Sequence, residues 1–245
     1  MMNEPGFKVL HVPDIDFRTN CYTFIACLEE VKVWSEANPD HYPIAIMMNA
    51  KDGGVGLPGF TEPLKFDAAA FEAWDAEIRS VFDEEHLLSP DDVRGNFETL
   101  EAAVLTRGWP LLDEARGKVY FILDHSDEKM QTYIQQHSSL KGRAMFVNAP
   151  AGTPEAAFMV INDPVREQEK IRKMVKLGYM VRTRSDANTT EARNNNYSRF
   201  EAAKSSGAQI ISTDYYTPDT LFRTGFHISL GDSAEHCNPV LSCGR

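Results

Sequence analysis

Several polar residues of this 245-residue chain stand at the ends of short apolar runs. Their types suit phosphate esters and polyhydroxyl compounds, because arginine can bind a phosphate through paired hydrogen bonds and carboxylates can accept hydrogen bonds from sugar hydroxyls. The residues are His11, Asn49, Lys51, Arg182, Arg184, Asp186, Asp214 and Tyr215. Together they predict a site for a phosphorylated or polyhydroxyl substrate.

The apolar runs predict the strands that would position these residues. Each run is four to eight residues long and mostly continuous in apolar character, which is typical of strands buried on both faces of a parallel sheet. The runs are 7–12, 43–49, 118–124, 143–148, 179–184 and 209–214. In a parallel β/α barrel the carboxyl ends of the strands open on one face, where active sites of such barrels lie. We therefore expect the polar residues on one face.

Helical patterns lie between the predicted strands. They run over about 20–37, 67–81, 126–136, 163–176 and 189–204. The Gly- and Pro-rich segment 51–62 predicts a long loop, and 83–117 predicts an insertion of short helices. The alternation of strand and helix predicts a parallel sheet with right-handed crossovers. With no repeat and no linker, a single domain over 1–245 is the simplest interpretation, with an irregular tail from about 217.

The polar residues also have structural interpretations. His11 could be a strand-end histidine whose ring is satisfied by the backbone. Arg182 and Arg184 alternate with Thr183, so one could face the barrel interior and the other the helices, and either could form a structural ion pair. Asp186 could be only a helix cap. These alternatives stay open at the level of sequence.

Net charge, hydropathy and the absence of known motifs argue against several classes of function. The net charge of −11 makes the chain a poor candidate for binding nucleic acid or anionic lipid, so contact with lipid would need a local basic or apolar patch. The sequence contains no run of about 18 apolar residues, so no transmembrane helix is expected. The segment 1–6 lacks the features of a signal peptide. Serine-hydrolase, P-loop, zinc-protease and dinucleotide motifs are absent from the sequence.

Four cysteines leave two interpretations open. Their even number permits disulfides, as in an exported protein, but free thiols are equally consistent with the sequence. None forms a CxxC pair, and the histidines near them lack zinc spacing. The residues are Cys21, Cys27, Cys237 and Cys243.

A set of short strings along the chain carries a family resemblance. The strings include VLHVPDID at 9–16, TNC at 19–21, DDVRG at 91–95, TRGWP at 106–110, VRTRSD at 181–186 and GAQIISTDY at 207–215. As a set they resemble the calcium-dependent phosphoinositide phospholipase C family of bacteria and fungi, over about 7–239. The resemblance implies a distorted TIM-like β/α barrel. It also implies a secreted full-length protein that works on phosphoinositide headgroups during transient contact with a membrane.

The resemblance implies a role for each site residue. In that family the inositol 2-hydroxyl attacks phosphorus and expels diacylglycerol, while two histidines move the protons and calcium stabilises charge. His11 matches the general acid and Asp214 a carboxylate that orients a catalytic histidine. Asn49 falls where a metal-binding Glu is usual. The implied substrate contacts are Lys51, Arg182, Arg184, Asp186 and Tyr215.

The chain departs from the family pattern at its start. The family's His-Asn-Ser-Tyr-His-like string and its Glu-x-Asp pair, which carry the base and calcium ligands, have no counterpart here. We therefore expect an incomplete barrel of about six of the eight βα units, with open edges prone to self-association and with impaired activity. Alternatives are a glycerophosphodiester phosphodiesterase-like enzyme and a non-catalytic inositol- or lipid-binding barrel. No nucleic-acid partner is expected.

Overall fold

Six strands form two three-stranded parallel sheets in a computed structural model, which describes residues 4–231 and 236–241. The chain divides into two compact units, one of 1–103 and 109–155, the other of 104–108 and 156–245. Each unit contains one of the sheets together with helices, so the α/β class is confirmed. The described residues do not form a closed barrel.

The sheet of the first unit has the order β1 (Ile44–Met48), β2 (Val119–Leu123) and β3 (Met145–Val147). Ile44 pairs with Val119, and this register runs to the pair of Met48 with Leu123. Every residue of β2 is buried, as its sequence VYFIL requires of a central strand. β1 is only half-buried along its length.

The helices of the chain up to residue 155 are α1 (Phe24–Ala37), α2 (Ala68–Val81), α3 (Pro90–Arg94), α4 (Leu100–Thr106), α5 (Leu112–Ala115), α6 (Glu128–Ile134) and a 3₁₀ turn (Ser138–Leu140). The last three residues of α4 belong to the second unit. Thr23 caps α1, Asp67 caps α2 and Asp127 caps α6, each with a side-chain oxygen that accepts from the first turn. The predicted start of α1 was therefore early by a few residues, and the predicted range of α2 is confirmed.

The sheet of the second unit has the order β4 (Phe158–Val160), β5 (Met180–Arg184) and β6 (Ile210–Ser212). Its helices are α7 (Gln168–Leu177), α8 (Thr190–Asn194) and α9 (Ser198–Ser206). Gly178 ends α7 with a φ of 104°, and a Cβ there would lie 2.5 Å from the carbonyl oxygen of Val104. A side chain at this position would be strained by both its backbone and its contact.

One strand prediction and one helix prediction were wrong, and one strand was missed. Residues 7–12 form no strand of either sheet, because their backbone bonds to the segment before α1: Val9 N donates to Tyr22 O and Phe24 N donates to Phe7 O. β4 (Phe158–Val160) was not predicted from the sequence. The predicted helix over 189–204 is two helices, since Asn195 adopts the left-handed conformation that asparagine tolerates well.

The first two cysteines are paired. Cys21 and Cys27 form a disulfide with their Cα atoms 5.4 Å apart, just before and inside the first turn of α1. Cys243 lies outside the described residues. Nowhere in 4–231 or 236–241 is a helix both long enough and apolar enough to cross a membrane.

Candidate functional site

His11 lies on a tight turn in the first unit. The backbones of Val12 and Asp16 exchange two hydrogen bonds of 2.9 and 3.0 Å, and Asp14 between them has a φ of 66°. The chain folds back on itself there and brings Asp16 beside His11, with His11 Nδ1 2.8 Å from Asp16 Oδ2. Both side chains stay in solvent, 65% and 61% exposed.

This contact orients the His11 ring. An ionised carboxylate can only accept, so Nδ1 must carry the hydrogen that bonds to Asp16. Nε2 makes no hydrogen bond to any described residue and is left to exchange a proton with a ligand. The interpretation of His11 as a ring satisfied by backbone does not hold. Asp16 was missed by the sequence analysis, although Pro13 and Asp14 are a turn signal that could have revealed it.

Lys51 joins the same cluster. Its Nζ lies 3.4 Å from the carbonyl oxygen of His11. The backbone of Lys51 also donates to Asn49 O at 2.9 Å, so the exposed Asn49 lies two residues away at the end of β1. Of the predicted site residues in the first unit, the structure brings together His11 and Lys51 and places Asn49 nearby.

Asp52 is bound by the protein itself. Lys129 Nζ lies 2.8 Å from Asp52 Oδ1, and Phe66 N donates to Asp52 Oδ2 at 3.1 Å. Partial burial pushes the pKa of Asp52 upward, but the hydrogen bonds from Lys129 and Phe66 and the nearby lysine charges outweigh it. The net pKa of Asp52 therefore lies below its ordinary value. The Asp52 carboxylate therefore stabilises the loop between β1 and α2.

His125, which follows β2, has both ring nitrogens engaged. Its Nε2 accepts from Ala50 N at 3.1 Å and its Nδ1 faces Asp127 at 3.2 Å. Because Nε2 accepts this backbone hydrogen bond, it carries no hydrogen, and Nδ1 donates to Asp127. His125 therefore ties two strand ends together and, unlike His11, has no ring nitrogen left for a ligand.

In the second unit, Asp186 links the ends of two strands. It is buried and accepts from Ser185 Oγ at 2.6 Å and from Asp214 N at 3.1 Å. The carboxylate of Asp214 is exposed and contacts no histidine among the described residues. Its expected role in orienting a histidine stays a prediction.

Arg182 and Arg184 share one face of β5. Both residues are half-buried, whereas Val181 and Thr183, which alternate with them along the strand, are fully buried on the other face. The alternative in which the two arginines face opposite ways does not hold, because side chains along a strand alternate with a period of two. Arg182 Nη1 donates to Asn162 Oδ1, at the end of β4. The Nε of Arg184 is buried and has no hydrogen-bond partner in the described part of the chain.

Tyr215 completes this cluster after β6. Its ring packs against Phe226, with centroids 5.4 Å apart. Burial and the negative charges of Asp219, Asp186 and Asp214 raise its pKa, so the phenol stays neutral at physiological pH and can donate a hydrogen bond. Beside the end of β4, a cleft of about 220 Å³ is lined by Asp163, Arg166, Glu191 and Arg199 among others.

The geometry thus gives each unit one polar cluster, and comparison with known families assigns the chain. A profile described as phosphoinositide phospholipase C, Ca2+-dependent, matches residues 1–239. The chain belongs to this family. No curated protein is similar enough to the chain to count as a match.

Solved structures agree with the assignment at the level of fold. A calcium-dependent phosphoinositol-specific phospholipase C from a Pseudomonas species aligns with a TM-score of 0.53 at 17% identity, over 78% of this chain and 64% of that one. A Ca2+-dependent phosphatidylinositol-specific phospholipase C from Streptomyces antibioticus aligns with a TM-score of 0.57 at 18% identity, over 82% and 73%. The chain thus spans a little under two thirds of the Pseudomonas protein.

The described residues do not fit a calcium site. Calcium takes six to eight oxygen ligands, usually including several carboxylates. No group of three or more His, Cys, Asp or Glu side chains between residues 4 and 231, or in 236–241, is placed to hold a metal ion. Asn49 offers one neutral oxygen, and the nearby Asp52 is already neutralised by Lys129.

Proposed function

We propose that the protein acts on phosphatidylinositol as a phospholipase C and releases diacylglycerol and a cyclic inositol phosphate. The proposal depends mainly on one observation: a chain matched by the family profile over 1–239 presents His11 with Nδ1 held by Asp16 and Nε2 free. That is the arrangement a general acid needs, because the ring is oriented and its second nitrogen reaches a ligand.

In the proposed reaction, a base takes the proton of the inositol 2-hydroxyl and the resulting oxygen attacks phosphorus. The bond from phosphorus to the glycerol oxygen breaks, and His11 Nε2 gives its proton to that leaving oxygen. Asp16 is a positioning residue, since it holds Nδ1 and stabilises the protonated ring. Lys51, near His11, is the proposed contact to the phosphate.

The second cluster supplies the proposed inositol contacts. Arg182 and Arg184 lie on one face of β5 and can donate to phosphate or hydroxyl oxygens. Tyr215 can donate as a neutral phenol, and Asp186 and Asp214 can accept from hydroxyls. We propose that both units belong to one phosphodiesterase domain.

We further propose that the two sheets are parts of a TIM-like barrel whose first two βα units lie upstream of these 245 residues. The proposal is supported by the edge strands β1, β3, β4 and β6, which have one strand neighbour each among the described residues. The missing units would supply the base and the calcium ligands to which Asn49 adds one oxygen. Without them the open edges would favour self-association, and secretion would depend on upstream sequence.

Release of inositol phosphate from phosphatidylinositol tests the proposal. We expect negligible release by residues 1–245 and calcium-dependent release by a protein extended with the in-frame upstream sequence. In the extended protein, His11→Ala should lower the rate by about 10²–10⁴-fold, the usual contribution of a general acid. His86→Ala is the matched control, because His86 forms a similar contact of 2.7 Å with Asp83 but follows no strand.

The outcomes separate the parts of the proposal. Strong calcium-dependent release of inositol phosphate by residues 1–245 would contradict the proposal that two βα units are missing from them. Equal losses in the His11 and His86 variants would contradict the role of His11. A second candidate, a non-catalytic inositol- or lipid-binding protein, is favoured by the absence from the sequence of the family's first histidine motif. It predicts headgroup binding that His11→Ala leaves unchanged, with no turnover by the extended protein.

A further inference from the structure

Two short segments of the second unit match the acceptor pattern for N-linked glycans. The pattern is Asn, then any residue except Pro, then Ser or Thr. The segments are NTT at 188–190 and NYS at 196–198. The other ten of the twelve asparagines lack the pattern, so both matches fall within nine residues of one another. Neither asparagine belongs to the proposed phosphodiesterase machinery.

The side chain of Asn196 leaves its amide nitrogen unused by the fold. Asn196 is exposed, and its Oδ1 accepts from Ser198 N at 2.9 Å. A backbone N–H can only donate, so this contact identifies the amide oxygen. The Nδ2 atom forms no hydrogen bond with any described residue. Asn196 and Ser198 also line the cleft of about 220 Å³ beside the end of β4, which leaves space for a sugar.

Asn188 meets the same conditions in the loop after β5. It is exposed, and its side chain forms no hydrogen bond within the described part of the chain. Its φ of 52° is in the left-handed region, which asparagine adopts more readily than most residues. Asn194 offers a contrast, because it is equally exposed but its Nδ2 donates to Thr190 O at 2.9 Å. Asn194 also lacks the acceptor pattern.

The disulfide of the first unit bears on where the chain matures. Cys21 and Cys27 are paired. Disulfides form and persist in oxidising compartments such as the secretory pathway, so the pair is consistent with an exported chain. Transfer of N-linked glycans takes place in the same pathway, which brings the two acceptor segments and the transferring enzyme together.

We propose that Asn188 and Asn196 are acceptors of N-linked glycans in a secretory pathway that contains an oligosaccharyltransferase. The co-reactant is an oligosaccharide carried on a polyprenyl pyrophosphate. The asparagine Nδ2 forms a bond to the anomeric carbon, and the bond from that carbon to the pyrophosphate oxygen breaks. The lipid pyrophosphate leaves with the electron pair, and one amide proton passes to the transferase. Both asparagines are exposed, so the folded protein can carry the sugars in solvent.

Secretion of residues 1–245 behind a cleavable leader from a eukaryotic host tests the proposal, with glycans counted by mass before and after their enzymatic removal. We expect two glycans on the unaltered chain, one on either Asn188→Gln or Asn196→Gln, and none on the double variant. Ser198→Ala should lose the Asn196 glycan and Ser198→Thr should keep it, because the acceptor pattern needs the hydroxyl. Asn194→Gln is the matched control and should keep both glycans.

Two kinds of result would overturn the proposal. A secreted chain whose mass is unchanged by glycan removal would overturn it entirely. A glycan count that stays the same in Asn188→Gln or in Asn196→Gln would overturn the assignment of that residue. Transfer occurs on the emerging chain, so a variant that fails to fold is scored on its intracellular precursor. None of these readouts requires lipid cleavage, so failure of the proposed function leaves this inference unaffected.

Discussion

Two ionic pairs in the first unit contain similar groups and differ in burial. Arg143 and Asp75 have side chains only 2% and 8% exposed, with Arg143 Nη1 3.2 Å from Asp75 Oδ2. His11 and Asp16 lie 2.8 Å apart with most of both side chains in water. The first pair is enclosed by the core, whereas the second stands on a surface turn.

The buried Arg143–Asp75 pair makes its further hydrogen bonds to groups of the protein itself. Arg143 Nε donates to Tyr133 O at 2.7 Å and the Tyr133 hydroxyl donates to Asp75 Oδ1 at 2.8 Å. Burial, with the neighbouring charge of Asp75, raises the pKa of Tyr133 well above its ordinary value. Because water and ligands do not reach these groups, the Arg143 pair serves the fold. The His11 pair keeps one free nitrogen and is open to chemistry.

The largest effect should follow from breaking the buried pair. Arg143→Ala leaves Asp75 without its cation in the core, so we expect the free energy of unfolding to fall by about 3–5 kcal/mol. Urea denaturation measures it. Arg166→Ala is the control, since Arg166 is exposed and lies 3.6 Å from its partner, and it should change stability by less than about 0.5 kcal/mol. Similar losses in both variants would contradict the comparison.

The next effect concerns the support of the exposed pair. The segment before α1, which hydrogen-bonds to the His11 segment through Val9 and Tyr22, is closed by the Cys21–Cys27 disulfide. Replacing both cysteines by serine should lower the free energy of unfolding by about 2 kcal/mol, as loop-closure entropy predicts for so short a loop. Urea denaturation of both proteins without reductant checks this. Equal stability of the two proteins would contradict the prediction.

Asp52 and Lys129 form a pair of intermediate burial, with side chains 16% and 21% exposed. Asp52→Asn should reduce stability at pH 7 by about 1.5 kcal/mol, the scale of a charged hydrogen bond. The pKa of Asp52 is lowered in the folded protein, so its stabilisation is full above the unfolded value near 4 and is lost as pH falls through the folded value. The difference between the two proteins should therefore shrink towards pH 2. A constant difference would contradict the pKa direction.

The smallest effect should come from the exposed pair itself. In the extended protein Asp16→Ala should lower kcat only about two- to fivefold with KM unchanged, because ion pairs in water contribute about 0.2–1 kcal/mol. ¹⁵N NMR of the His11 ring gives a readout apart from activity: hydrogen on Nδ1 in the unaltered chain, and a mixture of tautomers in the variant. Asp14→Ala, in the same turn, should leave the tautomer unchanged. If the His11 tautomer is unaltered in Asp16→Ala, Asp16 does not position the ring.

The apolar pattern of a segment predicted a strand correctly only where that pattern was enough to decide the structure of the segment. The residues of β2 are continuously apolar and have no stable place except a buried strand. Residues 7–12 have a similar pattern but hydrogen-bond to residues 16, 22 and 24 and join neither sheet. Whether a segment joins a sheet depends on the strand with which it pairs, and the sequence of the segment itself does not specify that partner.

The candidate site shows the same limit. His11 and Lys51 could be selected from their types and positions, but Asp16 became their neighbour only through the turn at Asp14. Arg182 and Arg184 could have been assigned to one face from the period of two alone. That Asp186 is buried against Ser185 and the Asp214 backbone could not have been predicted, because it requires β5 and β6 to be adjacent.

The sequence by itself determined the family and the kinds of groups available for chemistry, since both depend only on which residues occur in which order. The tertiary structure decided which groups are free to act. It enclosed Asp75 and Arg143, occupied both nitrogens of His125 and left Nε2 of His11 in water. The physical reason is that desolvation and hydrogen-bond saturation depend on distant parts of the chain packing around a group.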